Sequence, residues 1–328
     1  MRLHVILFLM KTSTQVLMVI LIAVGAAWPG SALALDPKVL DSVVRIKPDW
    51  SMAKRGTDAS GAPRDPQGTG IAVMPGGYVA TNVHVIGDAR NIDVMTEDGR
   101  VLKAEIVGRD KTTDIALLKV PADLPVPETA AAPALADPVC AVGNQFGLGL
   151  SVTCGVVSAV GRAGMGFNPV EDFIQTDAAV NPGGSGGALV DARSRLVGMV
   201  AAIFTKTSDA DIGVNFATSL PLLMRVVSDL KAFGEVRRGV AGFKAAPLPP
   251  DMAAEMGGAM VESVTLDGPA FKAGLEAGDV IVRIDGRPVP AMPALEARIF
   301  MKRPGDDLEL ETRRGGKVRA VTVTLAGS

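Results

Sequence analysis

Short apolar runs separated by turns make up the chain from Leu35 to about Ala217. Two of the turns are Pro75-Gly76-Gly77 and Glu97-Asp98-Gly99. Strands that recur at such regular spacing predict an all-β barrel or sandwich. The runs, in order, are GTGIAVM, YVATNVHVI, NIDVMT, RVLKAEIVG, IALLKV, VCAVG, SVTCGVVSAV, FIQTD, GALVD, LVGMVAAIF and GVNFAT.

A helical pattern follows over Ser219–Phe233, with Ser219 as a candidate N-cap, Pro221 near the first turn and Gly234 as the stop. A single stripe of apolar side chains at helical spacing predicts that one face of this helix is buried. We expect the helix to close the first domain. The stripe consists of Leu222, Leu223, Val226, Val227 and Leu230.

After Glu235 a second unit of mixed strands and short helices begins. Its strand patterns are AMVESVT, VIVRIDG, LELETRR and VRAVTVTL, and its helical patterns are PAFKAGL and PALEARIFM. We expect a small α+β domain over 235–328. Within the β-rich unit, the Ala/Pro-rich segment ETAAAPALADP predicts a linker between two halves, and the polar segment Lys54–Gln67 predicts an exposed loop.

The N-terminus has the pattern of a secretory signal. Lys11 precedes the apolar run Val16–Trp28, and Pro29 and the small-residue site Ala32-Leu33-Ala34 follow it. The pattern predicts a signal peptide over 1–34, whether translation starts at Met1 or at Met10. A retained membrane anchor is the alternative, but it needs about 20 apolar residues. We therefore expect an exported, periplasmic protein.

Composition and charge remove some classes of partner. The net charge of the 328-residue chain is −2, so no polyanion-binding surface and no nucleic-acid partner are expected. The basic residues Arg237, Arg238, Arg313 and Arg314 are interpreted as a solvated face. The two cysteines, Cys140 and Cys154, flank the Gly-rich segment GNQFGLGL. Export permits a disulfide between them, but two buried thiols also fit because disulfide geometry is strict.

Histidine is the scarcest candidate catalytic residue. Of the two in the chain, His4 lies in the predicted signal, so His84 in TNVHV is the one imidazole of the mature protein. A multi-histidine metal site is therefore excluded, a zinc site is not expected from two cysteines, and no cofactor is expected. Asp114 follows in KTTDIALLKV and Ser185 in NPGGSGGALV.

The order of these three residues separates two enzyme classes. GGSGG also fits the G-x-S-x-G turn of α/β-hydrolases, but there a histidine follows the serine, and here none does. That turn also needs a following helix, whereas GALVDARSRLVGMV predicts a β-hairpin. The order His84, Asp114, Ser185 is that of chymotrypsin-like proteases.

Four separated motifs, TNVHV, TDIALLKV, GNQFGLGLSVTCGVVSAVGR and FIQTDAAVNPGGSGGALV, together resemble the HtrA/Deg family of exported serine proteases. In the second unit, RRGVAGF and DGPAFKAGLEAGDVIVRIDGRPV resemble a PDZ domain. The resemblance implies a mainly β fold, with a chymotrypsin-like double β-barrel over 35–234 followed by a small α+β PDZ domain over 235–328.

The resemblance also implies roles. Ser185 attacks the scissile carbonyl, His84 is the general base, and Asp114 orients the imidazole. The backbone N–H groups of Gly183 and Ser185 form the oxyanion hole. One departure concerns Gly184, where the family usually has Asn, and it predicts a resting site that is disordered until activated. GNQF in place of GNPF is a smaller departure that leaves the chemistry unchanged.

Specificity is expected to come from small apolar residues. The primary pocket has no acidic residue in the AAV stretch before the nucleophile turn, so cleavage after small or medium aliphatic residues is predicted. By resemblance to chymotrypsin-like proteases, the segment before Ser185 and the strand MVAAIF line this pocket, and the candidate pocket residues are Ala178, Ala179, Ala202, Ile203 and Val214. In the second domain a peptide C-terminus is expected at the carboxylate-binding loop, which consists of Arg238, Gly239, Val240, Ala241, Gly242 and Phe243.

The family implies unfolded or damaged polypeptides as substrates, peptide C-termini as PDZ ligands and a homotrimer as the assembly. Trp50 is a candidate subunit contact. The alternative function is a catalytically weak PDZ-containing chaperone or scaffold, which the intact His84, Asp114 and Ser185 disfavour and Gly184 leaves open.

Overall fold

A computed structural model describes residues 35–49, 67–203 and 213–327. The predicted signal peptide, Trp50 and nearly all of the predicted loop Lys54–Gln67 lie outside these ranges, as do the side chains of Ala202 and Ile203. Within the described residues, no helix has both the length and the apolar character needed to cross a bilayer.

The first half of the β-rich unit is a closed six-stranded barrel with the strand order β1-β2-β3-β6-β5-β4, in which every pairing is antiparallel. Its interior is aliphatic, with Val44, Ile46 and Leu118 fully buried. Its elements are α1 (Lys38–Asp41), β1 (Val43–Pro48), β2 (Gly68–Met74), β3 (Tyr78–Asn82), α2 (Val83–Ile86), β4 (Ile92–Met95), β5 (Val101–Asp110) and β6 (Ile115–Lys119).

The second half is another closed antiparallel barrel, ordered β10-β11-β12-β9-β8-β7. The Ala/Pro-rich segment lies between β6 and β7, so the predicted linker between the halves is confirmed. The strand spacing alone left barrel and sandwich open, whereas the family resemblance implied a double β-barrel, and the two closed barrels confirm the double β-barrel. The strands are β7 (Pro138–Gly143), β8 (Ser151–Arg162), β9 (Phe173–Thr176), β10 (Ala188–Asp191), β11 (Leu196–Ile203) and β12 (Asn215–Ser219).

Helix α3 (Leu220–Phe233) follows the second barrel, as predicted. The Ser219 hydroxyl accepts a hydrogen bond from the N–H of Leu222, and Gly234 ends the helix in the left-handed conformation at φ 75°. The predicted apolar stripe is buried in the cluster that also contains Val142 and Met199 of the second barrel. The helix is therefore held by its apolar face.

The C-terminal unit is an antiparallel sheet ordered β14-β15-β16-β18-β19, with β14 at one edge, and a separate pair of strands, β13 and β20. Helix α4 was not expected from the sequence. The elements are β13 (Gly239–Val240), β14 (Phe243–Pro247), α4 (Pro250–Met256), β15 (Ala259–Val264), α5 (Pro269–Lys272), β16 (Val280–Ile284), β17 (Arg287–Pro288), α6 (Met292–Phe300), β18 (Asp307–Arg314), β19 (Lys317–Thr324) and β20 (Ala326–Gly327).

The expectation of a solvated basic face is wrong for Arg238 and Arg314, which are partly buried, whereas Arg237 and Arg313 are exposed. Arg238 forms an ion pair with Asp110 of the first barrel. Arg314 binds the fully buried Asp279, and the Arg237 guanidinium lies 3.6 Å from the centre of the Phe233 ring. Buried carboxylates and an exposed ring draw these cations into contacts that the sequence pattern did not indicate.

The two cysteines form a disulfide in the structure. Cys140 on β7 and Cys154 on β8 are direct partners in the antiparallel ladder. Cys140 is fully buried in the core, whereas Cys154 is exposed. The bond therefore ties together the two strands whose connecting segment is the Gly-rich 144–150.

Candidate active site

His84 and Asp114 lie together at one end of the first barrel. His84 belongs to the short helix α2, just after β3, and not to the strand in which the sequence placed it. Its Nδ1 lies 2.6 Å from Oδ2 of Asp114, and its backbone N–H donates to Oδ1 at 2.9 Å. Two contacts from one carboxylate fix the imidazole, and a proton on Nδ1 leaves Nε2 unprotonated as a base.

Asp114 is held in an unusual backbone conformation. Its φ is 59°, which few residues other than glycine adopt, although Asp tolerates it. Its carbonyl oxygen accepts hydrogen bonds from the N–H of Val83 (3.1 Å) and from the side-chain amide of Asn82 (3.0 Å). The same residue therefore orients the imidazole through its side chain and anchors the start of α2 through its backbone. Half of the His84 side chain is exposed, against 16% for Asp114.

Ser185 follows a tight turn at the opening of the second barrel. The N–H of Gly184 donates to the carbonyl oxygen of Asn181 at 2.9 Å, with Pro182 and Gly183 between them. Gly183 has a φ of 93°, as position i+2 of a type II turn requires. A β-carbon at Gly183 would also overlap the carbonyl oxygen of Asn144, so glycine is required there for two independent reasons.

The amide groups that the sequence assigned to the oxyanion hole are available in this turn. Among the described residues, the N–H groups of Gly183 and Ser185 have no hydrogen-bond acceptor. The opposite ends of their peptide planes are fixed. The carbonyl of Pro182 accepts from the N–H of Phe146 at 2.6 Å, and that of Gly184 accepts from the N–H of Gly187 at 3.0 Å. Both donors are thus left for a ligand oxygen.

Contacts between the barrels bring the serine turn to the histidine end of the first barrel. The N–H of Thr69 on β2 donates to the carbonyl of Ser185 at 2.9 Å. A β-carbon at Gly186 would overlap Thr69 and the hydroxyl of Thr81, three residues before His84. The Ser185 hydroxyl itself lies 3.4 Å from the carbonyl oxygen of Ala201.

The candidate pocket residues lie on the segment before the serine, on β11 and just before the start of β12. Ala178 is fully buried, and its carbonyl accepts from the Asn215 side chain at 3.0 Å. Val214 packs against Phe173, Ala201 and Phe216. Ala179 is half-buried, and Ala202 and Ile203 contribute the end of β11. Asp177, the nearest acid before this segment, accepts the N–H of Val156 at 2.7 Å.

Sequence reasoning missed the residues that support this turn. Gln145 accepts from the side-chain amide of Asn181 at 2.8 Å and donates to the carbonyl of Ala179 at 3.3 Å. The exposed Phe146 supplies the backbone N–H that holds Pro182, and it has a φ of 56°. The one signal was the Gly-rich segment between two strands, which marks a tight loop but not what it contacts.

The carboxylate-loop residues of the C-terminal unit connect β13 to the edge strand β14. Gly242 has a φ of 75°, and a β-carbon there would lie against Pro269 at the start of α5. The carbonyls of Ala241 and Gly242 accept from Ala270 and Thr265. Helix α6 packs beside β14 and β15, so β14 has an open edge next to a helix, the arrangement in which a peptide can add as a strand.

Comparisons with known proteins cover both units. Residues 68–199 match the trypsin-like peptidase domain family, and residues 210–325 match the PDZ domain family. The periplasmic pH-dependent serine endoprotease DegQ of Escherichia coli K12 is 33% identical over an alignment 359 residues long. The alignment covers 96% of this chain and 79% of that protein.

Another relative is longer than this chain. A probable periplasmic serine endoprotease DegP-like of Halomonas elongata is 40% identical over 266 residues, which cover 79% of this chain but only 56% of that protein. The chain therefore spans about half the length of some of the curated relatives it matches.

Solved structures agree with the fold. The HtrA-type protease AlgW with tripeptide superposes with a TM-score of 0.70 at 34% identity, covering 88% of this chain and 94% of that one. The serine endoprotease from Yersinia pestis gives a TM-score of 0.61 at 32% identity, covering 89% and 97%.

Proposed function

This chain belongs to the HtrA/Deg family of PDZ-containing serine proteases, and we propose that it is an exported serine endopeptidase that uses His84, Asp114 and Ser185. The observation that carries the proposal is the pairing of His84 with Asp114 beside a serine turn with two unengaged backbone donors. A hydroxyl needs an adjacent base to act as a nucleophile, and the turn supplies the oxyanion donors that acyl transfer needs.

In the proposed mechanism the Ser185 hydroxyl rotates from Ala201 to Nε2 of His84 and attacks the scissile carbonyl as its proton passes to the imidazole. Asp114 stabilises the imidazolium through Nδ1. The oxyanion binds the N–H groups of Gly183 and Ser185. The imidazolium then protonates the leaving amine, and water, deprotonated by His84, hydrolyses the acyl-enzyme. Hydrogen bonds of this kind are commonly long before substrate binds.

The proposed substrates are unfolded or damaged polypeptides cleaved after small or medium aliphatic residues. The buried Ala178 and the apolar environment of Val214 support an apolar pocket. Asp177, the nearest acid, is held by the N–H of Val156. A peptide library digested by the purified protein should give cleavage mainly after Ala, Val, Ile or Leu. Preferential cleavage after Arg or Lys would contradict this pocket assignment.

The proposed PDZ function is capture of peptide C-termini, with the carboxylate at residues 238–243 and the peptide paired to β14 by β-augmentation. We also propose a signal peptide over 1–34, a protease domain over 35–234 and a PDZ domain over 235–328. Periplasmic location and a homotrimer complete the proposal. N-terminal sequencing of the exported protein tests the cleavage of the signal peptide, and light scattering of the purified protein tests the homotrimer.

Casein digestion tests the catalytic proposal. Wild type should digest casein, and Ser185→Ala should lose at least about 10³-fold of the rate, since removing the nucleophile removes the covalent route. Ser158→Ala is the matched control, because Ser158 is an exposed serine of β8 outside the site. Each protein is assayed with and without a peptide that ends in an apolar residue, which should raise the wild-type rate if the PDZ domain controls the protease.

Equal and negligible digestion by wild type and Ser185→Ala under every condition would favour the alternative of a PDZ-containing chaperone or scaffold. The same result with tight binding of the peptide would assign the PDZ function and remove the enzymatic one.

A further inference from the structure

Thr69 touches the nucleophile turn at two places. It lies on β2 of the first barrel and is fully buried. Its hydroxyl donates to the carbonyl oxygen of Gly183 at 2.6 Å, and its backbone N–H donates to the carbonyl oxygen of Ser185 at 2.9 Å. One residue of the first barrel therefore binds both residues whose N–H groups are proposed to form the oxyanion hole.

The hydrogen-bonding capacity of this hydroxyl is directed entirely at the turn and its support. It accepts the N–H of Asn144 at 2.9 Å and donates its one proton to Gly183. Thr69 is itself held in place, since its carbonyl oxygen accepts the hydroxyl of Thr81 at 2.7 Å. An aliphatic side chain of the same shape would leave a buried N–H and a buried C=O unpaired.

The hydrogen bond from the Thr69 hydroxyl affects the oxyanion hole through the peptide plane that it holds. The plane that joins Pro182 to Gly183 is held by Phe146, and the plane that joins Gly184 to Ser185 is held by Gly187. Gly184 has no side chain that could limit rotation between them. The middle plane, Gly183 to Gly184, is held at its N–H end by the carbonyl of Asn181 and at its C=O end by the hydroxyl of Thr69, so the Thr69 contact helps to set the angle between the two oxyanion donors.

We propose that Thr69 is a positioning residue for the oxyanion hole, which acts through the carbonyl of Gly183 so that both N–H groups converge on one oxygen. This inference rests on the proposed function. Thr69 touches no reacting atom, so its loss should weaken binding of the transition state more than binding of the substrate.

The first test compares Thr69→Val, which keeps the shape, with Thr69→Ser, which keeps the hydroxyl. With a peptide substrate, Thr69→Val should lower kcat about 10- to 100-fold, less than the roughly 10²- to 10³-fold loss when an oxyanion donor is deleted. KM should stay within about twofold, and Thr69→Ser should restore kcat to within about threefold of wild type, on the same reasoning. A peptide boronic acid with an aliphatic P1 residue should lose affinity in parallel with kcat/KM.

The control for general destabilisation is Ser219→Ala. The Ser219 hydroxyl also makes two hydrogen bonds, to Leu222 and Asp172, but at the start of α3. It should lower the melting temperature and leave kcat unchanged. If Thr69→Val does not fold, Thr69→Ala removes the hydroxyl without placing a second methyl group against the Gly183 carbonyl, and it takes the place of Thr69→Val in the same comparison.

NMR of the amides of Gly183, Gly184 and Ser185 gives a readout that needs no turnover. Thr69→Val should broaden these signals by exchange on the microsecond to millisecond timescale, whereas Thr69→Ser should not. Wild-type kcat in Thr69→Val, or equal loss in Thr69→Ser, would overturn the inference, as would unchanged amide signals in an inactive protein. If wild type does not digest casein but Thr69→Val shows the predicted broadening of the amide signals, the catalytic proposal is rejected and the positioning role of Thr69 is retained.

Discussion

Gly184 stands before the nucleophile, where the resemblance to the protease family places an asparagine. Its φ lies outside the left-handed region, so this backbone conformation does not require glycine. A β-carbon there would lie 3.1 Å from the carbonyl oxygen of Asn181, a tight contact that requires this carbonyl to move by a few tenths of an ångström. Glycine at a position that accepts a side chain leaves a larger number of alternative turn conformations.

The first residue-scale prediction is therefore that Gly184→Asn raises basal turnover. Replacing a glycine in a compatible conformation stabilises the ordered state by about 0.4–1 kcal/mol, which corresponds to about a two- to fivefold higher population. Peptide hydrolysis without an activating C-terminal peptide is the measurement. Gly184→Ala is the control that separates backbone restriction from any effect of the amide side chain, and unchanged basal turnover in both variants would contradict the prediction.

The sequence alone identified the candidate catalytic residues, whose side chains have distinctive chemistry. It did not identify residues of common types that act only through contacts in the folded protein. His84 was identified because it is the one histidine outside the predicted signal peptide, and Asp114 and Ser185 because of their order. A threonine at position 69 in a strand is unremarkable by type, and only the contact between two barrels gives it a role. The cysteines could be located but not paired, because the register that places Cys140 opposite Cys154 is a property of the folded ladder.

At the scale of elements, the β7–β8 hairpin is the support of the nucleophile turn. Its end supplies Gln145 and Phe146, which bind Asn181 and Pro182, and its strands are joined by the disulfide. The bond closes a segment of sequence separation 14. In the chain-entropy account, a link of that span limits the unfolded state more than it changes the folded one.

Reduction of the disulfide should lower the free energy of unfolding by about 3 kcal/mol and the melting temperature by about 6–12 °C. Calorimetry with and without a phosphine reductant is the measurement, and the exposure of Cys154 gives the reductant access. The double variant Cys140→Ala, Cys154→Ala should show no response to the reductant. An equal loss in wild type and double variant on adding reductant would mean that the disulfide is not the cause.

Element boundaries were predictable where a pattern and its caps agree. Helix α3 has an apolar stripe, a serine N-cap and a terminal glycine, and it runs over Leu220–Phe233, one residue shorter than the predicted span. Helix α4 has no residue that is buried, so no apolar periodicity marks it and its residues do not predict a helix. His84 lies in a helix because Asp114 anchors the start of α2 through contacts 30 residues away in sequence.

At the scale of the whole molecule, α3 connects the barrels to the PDZ unit through a buried charge cluster. Asp229 lies 2.5 Å from Arg225 on the same helix and accepts hydrogen bonds from Arg303, in the turn after α6, at 2.9 and 3.1 Å. The N–H of Arg237 adds a further contact at 3.0 Å. Phe300 of α6 belongs to the same apolar cluster as the α3 stripe, so charge and apolar contacts act at one junction.

This cluster makes the free energy of unfolding depend on pH in the acidic range. Burial by itself raises the pKa of a carboxyl, but hydrogen bonds from Arg225, Arg303 and the N–H of Arg237 outweigh burial and hold the pKa of Asp229 below its usual 3.8. A carboxyl whose pKa is lower in the folded state stabilises the fold fully above its unfolded value, and this contribution is lost as the pH falls through the folded value. The contribution of Asp229 is therefore complete above about pH 4 and declines below it.

We accordingly expect Asp229→Asn to lower the free energy of unfolding by about 1–3 kcal/mol near neutral pH, because the buried Arg225 loses its charged partner. The difference from wild type should shrink as the pH is lowered below about 4, because the wild-type carboxyl then becomes protonated as well. Urea unfolding at a series of pH values measures it, with Asp267→Asn as the control on an exposed carboxyl. A difference that stayed constant across this range would show that the charge of Asp229 contributes nothing to the stability of this junction.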